Sequence, residues 1–70
     1  MVRTAYKNIY MVECVANDGS LVFRRYTYNK TRAVKIVANN SWRLIEGDYI
    51  GLRRLERIEL SYLKNIEVEE

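Results

Sequence analysis

The pair Asp18-Gly19, set between two runs rich in Val, Ile, Tyr, Phe and Thr, constrains this chain more than any other feature. The flanking runs, residues 8–17 and 20–28, carry the β-branched and aromatic residues that suit a pleated surface. Asp-Gly is favoured where both turn residues need positive φ, so the runs are predicted to fold back as a β-hairpin on a two-residue turn. In that register Cys14 faces Phe23, Glu13 faces Arg24, Met11 faces Tyr26, Val15 faces Val22 and Ala16 faces Leu21. Apolar residues meet apolar ones and an acid meets a base, both favourable across a strand pair. A three-residue turn would slide Glu13 against Phe23, which argues for the two-residue form.

Alternation gives this ribbon two unlike faces. One holds Tyr10, Val12, Cys14, Ala16, Leu21 and Phe23, with Arg25 and Thr27 toward the open end. Its wholly apolar centre makes it the core face. The other holds Ile9, Met11, Val15, Val22, Tyr26 and Tyr28 around the Glu13–Arg24 pair. That is too apolar to stay wet without a reason.

A helix is predicted to follow, from about residue 30 to 45, with Asn29 or Thr31 as N-cap and Gly47 at the C-terminal cap position. At 100° per residue, Ala33, Val34, Val37, Ala38, Ser41, Trp42, Leu44 and Ile45 share one half of the wheel, with Ile36 the outlier. Val34, Val37, Trp42 and Ile45 are expected to bury against Val12, Cys14, Ala16 and Phe23. Arg32, Lys35, Asn39 and Arg43 lie on the opposite side. Asn39-Asn40 could end the helix early, at the loss of the Trp42 and Ile45 contacts. Residues 49–63 read as helix or strand. A ribbon with one helix needs a further strand, and Ile58, Leu60 and Tyr62 alternate, so part of 49–63 is expected to be that strand. Ile66 and Val68 suggest a short edge. The expected fold is α+β: a β-hairpin, one amphipathic helix and a C-terminal strand (ββαβ), the helix packed on one face of an antiparallel sheet. It forms a single domain over residues 1–70, with 1–6 and 67–70 frayed.

Seventy residues bury only about 60% of their unfolded surface, so such a domain is marginal unless stapled. One cysteine, Cys14, excludes an internal disulfide, and with no histidine the common structural zinc sites cannot be built. Self-association is the staple that remains. The same absences exclude Ser-His-Asp and Cys-His catalysis, and the glycines Gly19, Gly47 and Gly51 form no phosphate loop. The carboxylates of Glu13, Asp18, Glu46 and Asp48 show no catalytic spacing and read as solvated or turn residues. No catalytic residue, metal or cofactor is expected, and the chain reads as a non-enzyme. No run of 18 apolar residues is present, so no membrane partner is expected. The apolar stretch 9–16 is interrupted by Glu13, unlike a secretory core, and a cytoplasmic location is expected.

Charge is uneven. Residues 1–43 hold eight basic side chains and two acids, a balance of +6, and residues 44–70 hold four and seven, a balance of −3. Two readings of function follow. In the first, the chain is a small protein-binding module, a regulator or inhibitor of the accessory or phage-encoded kind. It would bind a host protein through Met11, Arg24, Tyr26 and Tyr28, residue types enriched in interface cores, and associate as a homodimer. In the alternative, Arg32, Lys35, Asn39 and Arg43 form a helix stripe that binds nucleic acid, with Arg24, Tyr26 and Tyr28 as a stacking surface. A net charge of +3 is small for that role, because affinity grows with the phosphates neutralised.

Overall fold

The computed structural model describes residues 8–56, 59 and 66–69. Strands β1 (Tyr10–Val15) and β2 (Leu21–Thr27) precede helix α1 (Lys30–Ser41), then β3 (Tyr49–Arg54) and β4 (Val68–Glu69). The sheet order is β3-β1-β2-β4. β1 is central and antiparallel to both β2 and β3, while β4 runs parallel to β2, so the sheet is mixed. The α+β architecture, with a single helix among the described residues packed on one sheet face, is the one expected.

The hairpin combines both candidate registers. From Tyr10↔Thr27 to Cys14↔Phe23 the pairing is the expected one, Glu13↔Arg24 and Met11↔Tyr26 included. Beyond Cys14 the register shifts, and Val15 pairs Leu21. The expected Val15–Val22 and Ala16–Leu21 pairs are therefore not made; Ala16 N–H donates to the Ser20 carbonyl at 2.8 Å. The loop is Asn17-Asp18-Gly19, closed by Gly19 N–H on the Ala16 carbonyl at 2.9 Å, with Gly19 at φ 88°. A three-residue loop ending in a left-handed glycine is a common hairpin connection. Val22 is the extra residue of a β-bulge, which absorbs the one-residue slip and keeps Glu13 on Arg24. Leu21 and Val22 stay exposed, so Leu21 is not a core residue.

Asn29 caps α1: its side-chain oxygen accepts the Arg32 N–H at 3.2 Å. The buried Thr27 hydroxyl accepts the Asn29 N–H, fixing the strand-to-helix junction. The helix ends at Ser41, four residues before the expected Ile45. Asn40 and Ser41 donate side-chain hydrogen bonds to the carbonyls of Ile36 and Val37, and Arg43 and Leu44 close three-residue turns on Asn40 and Ser41. Such short polar side chains offer the backbone an alternative to the helical ladder. Gly47 is accordingly not a helix cap. It has φ 92° in the turn closed by Asp48 N–H on the Ile45 carbonyl.

Early termination rotates the buried face. Ala33 and Ile36 are buried and Val37 and Asn40 half-buried, the i, i+3, i+4, i+7 pattern, so the supposed outlier Ile36 is central. The expected burial of Val34, Trp42 and Ile45 is corrected: they are 48%, 77% and 65% exposed. Val12, Ala33 and Ile36 form the core centre, flanked by Tyr10, Phe23, Val37, Ile50 and Leu52. The strand expected within 49–63 is β3, which pairs Leu52 with Val12 and Ile50 with Cys14. The alternating Ile58, Leu60 and Tyr62 lie outside the described residues, as do residues 1–6. The fraying expected at 67–70 is corrected for Val68–Glu69, which pair with Tyr26 and Thr27.

Candidate functional site

Strand alternation sends Val12 and Cys14 to the α1 side, leaving Met11, Glu13 and Val15 on the other. Cross-strand pairing builds three rows on that second face: Tyr49–Val15–Leu21, Gly51–Glu13–Arg24 and Arg53–Met11–Tyr26. Glu13 Oε2 accepts from Arg24 Nε at 2.8 Å and Nη2 at 2.5 Å. Arg53 Nη1 donates to both carboxylate oxygens of Glu59 at 2.6 Å, and Glu59 also accepts the Glu56 N–H at 2.7 Å. These bonds raise the pKa of both guanidiniums and lower that of Glu59. The Tyr49 side chain lies over Gly51, filling the space where a Cβ would sit. The rows form the floor of an open cavity of about 520 Å³, lined by Met11, Tyr26, Tyr49, Leu55 and the two ion pairs.

Of the expected interface residues, Met11, Arg24 and Tyr26 line this cavity. Tyr28 does not. It lies past the end of β2, exposed, and its N–H donates to the Glu69 carbonyl at 3.0 Å. Tyr49, Gly51, Arg53, Leu55 and Glu59 were not singled out from the sequence. The period-two spacing of Tyr49, Gly51 and Arg53 was visible there, but its meaning depends on β3 lying beside β1.

The helix stripe is divided. Arg32 donates to Glu69 Oε1 from Nε at 3.2 Å and Nη2 at 3.1 Å, while Arg25 holds both Glu69 oxygens at 2.7 and 2.6 Å. Chiefly through Arg25, and then Arg32, the Glu69 carboxyl is held down at about 2. Lys35 and Asn39 are exposed and line a hollow of about 250 Å³ with Arg25 and Arg32. Arg43 lies beyond the end of α1, its guanidinium 5.5 Å from the Trp42 ring centre. The expectation of four residues on one helix face is therefore corrected, because the helix stops before Arg43.

Two of the four isolated carboxylates serve turns. Asp18 accepts from the Ser20 N–H and hydroxyl at 2.9 and 2.6 Å, which lowers its pKa. Asp48 accepts from the N–H groups of Asn17 at 2.8 Å and Ile45 at 3.1 Å, tying the hairpin loop to the turn before β3. Cys14 is buried and forms no disulfide. Among the described residues no helix is long and apolar enough to cross a membrane, and no three potential ligands cluster for a metal. Comparison of the chain with protein-family models, with curated proteins and with solved structures finds no match.

Proposed function

We propose that the chain is a non-catalytic binding module, a regulator or inhibitor that takes another protein on the sheet face opposite α1. The observation that carries this reading is the cavity framed by half-buried Met11 and Tyr26 and by the exposed Tyr49, with the Glu13–Arg24 pair in its floor. Tyrosine brings large apolar area at low torsional cost, methionine adapts its shape to a partner surface, and an arginine fork fixes orientation. Arg24 and Arg53 each already hold a carboxylate, so the cavity has no standing need for an anion. Its complement is an apolar side chain presented by a protein surface. The buried, unpaired Cys14 suits the reducing cytoplasm, where we place the chain. The nucleic-acid alternative has less support, since Arg32 is held by Glu69 and Arg43 leaves the stripe.

The test uses the immobilised chain to recover partners from a lysate, with and without nuclease treatment. A recovered protein is then titrated against purified wild type, Met11→Ala and Tyr26→Ala. Loss of a central tyrosine is expected to weaken binding by about 2 kcal/mol, roughly thirtyfold, with cooperative melting retained. A partner bound equally by both variants refutes the assigned face. Capture that vanishes with nuclease, falls steeply with salt and depends on Lys35 supports nucleic acid instead.

A further inference from the structure

The outer edge of β3 carries a feature that the cavity does not use. The hydrogen bond from Leu55 N–H to the Ile9 carbonyl, at 2.9 Å, sets the phase of the β1–β3 ladder. In an antiparallel pair, residues bonded to the neighbour alternate with residues whose N–H and C=O point away. Counting back from Leu55, the backbones of Arg53, Gly51 and Tyr49 turn toward β1, and those of Ile50, Leu52 and Arg54 turn outward. β3 ends the sheet, so these outward groups have no strand partner among the described residues. Among the described residues the far edge of β2 also has no strand partner beyond the two residues of β4, but the Val22 bulge breaks the spacing that strand addition needs there. β3 keeps an uninterrupted register over its six residues.

We propose that two copies of the chain pair through this edge, antiparallel about Gly51, to make one continuous eight-stranded sheet. Charge and shape select the occupant and the register. Centred on Gly51, each Ile50 meets Leu52 of the second copy, each Arg53 meets Tyr49, and each Arg54 meets Asp48. Apolar residues thus oppose apolar ones, a cation lies beside an aromatic ring, and a cation faces an acid. Re-centring on Leu52 would set Arg54 against Ile50, and re-centring on Arg53 would set the two Arg53 residues against each other. The glycines meet at the centre, each with its own Tyr49 side chain lying over it. The two-fold operation uses both β3 edges and, among the described residues, leaves the short β4 and the bulged half of β2 outside, which closes the assembly as a dimer. Both cavities then open on one face of the shared sheet. The pairing joins backbone groups at the β3 edge and shares Tyr49 and Arg53 with the cavity lining, but self-association does not require that the cavity bind another protein.

Sedimentation of the wild-type chain from micromolar to near-millimolar concentration is expected to show a monomer–dimer equilibrium. The exposed Arg54 makes no ion pair with a described residue, and Arg54→Asp is expected to weaken dimerisation roughly tenfold by opposing Asp48 at two symmetric positions. Register is read by oxidative cross-linking in a Cys14→Ser background. Tyr49→Cys and Arg53→Cys chains are expected to form a disulfide when mixed and not when separate, because only the 49–53 pair is directly opposed. A wild-type chain that stays monomeric throughout the range overturns the proposal, whatever the variants do. So does cross-linking as efficient in the separate samples as in the mixture, or a dimer indifferent to Arg54→Asp.

Discussion

Ile36 shows how one side chain reports the true orientation of a helix. It is 5% exposed at the centre of the core, while its near neighbour Val34 is 48% exposed. Truncating a buried isoleucine removes transfer free energy and leaves a cavity, so Ile36→Ala is expected to cost about 2–5 kcal/mol. Val34→Ala, on the wet side, is expected to stay within about 0.5 kcal/mol of wild type. Urea unfolding of the two variants checks this; equal losses would mean that α1 is rotated from the orientation described. The sequence pattern pointed the other way because Ser41, Trp42, Leu44 and Ile45 biased the apolar stripe. Three of those four are not helical.

The two turns at one end of the sheet behave as a unit at the scale of elements. Gly19 and Gly47 both have φ near 90°, a region costly for residues with a Cβ. Their surroundings differ. A Cβ on Gly19 would meet nothing within 4 Å, whereas one on Gly47 would sit 2.8 Å from the Asn17 Cβ. Gly19→Ala is therefore expected to cost about 1–2 kcal/mol, from backbone strain alone. Gly47→Ala is expected to cost more, because Asn17 must also move and the Asp48 bond to its N–H weakens. Thermal melts of both variants, with Asn17→Gly added to each, measure the difference. If Asn17→Gly relieves Gly47→Ala no more than Gly19→Ala, the close approach of the two turns is not what sets the penalty. Sequence reading took Gly19 for a turn residue and Gly47 for a helix cap. It could not see the contact between them, since Asn17 and Gly47 are distant along the chain.

The whole molecule is joined on its helix side by one carboxylate. Glu69 of β4 accepts from Arg25 of β2 and Arg32 of α1, and its carboxyl falls from an ordinary 4.5 to about 2. A carboxyl depressed in the folded state binds fewer protons there than in the unfolded chain. Its stabilisation is fully present above pH 4.5 and fades as pH falls toward 2. The arginine side chains are 40% and 48% exposed, so solvent screening limits the contribution to about 1 kcal/mol. Wild type and Glu69→Gln are expected to differ by a constant amount above about pH 5 and to converge below it. Denaturant titrations across that range test this, and a difference that persists unchanged at pH 2 would show that proton linkage at Glu69 is not its source. The same assembly decides which cations remain available, because the order β3-β1-β2-β4 brings β4 to the side of β2 where Arg25 and Arg32 lie.

Local chemistry in the chain was sufficient for the hairpin, its central Glu13–Arg24 register, the α+β class and the membership of Met11, Arg24 and Tyr26 in one face, and it narrowed the helix cap to Asn29 or Thr31. Each of these depends on residues close in sequence, or on a period that one strand or helix imposes by itself. The bulge at Val22, the end of α1 at Ser41, the burial of Ile36, the lining of the cavity by Tyr49, Gly51 and Arg53, and the capture of Arg32 by Glu69 were decided only by the tertiary structure. These features join segments that lie far apart along the chain, and a periodic pattern records only that a face is apolar or charged. Packing selects the neighbour that covers it, because burial rewards whichever distant surface best excludes water from that face.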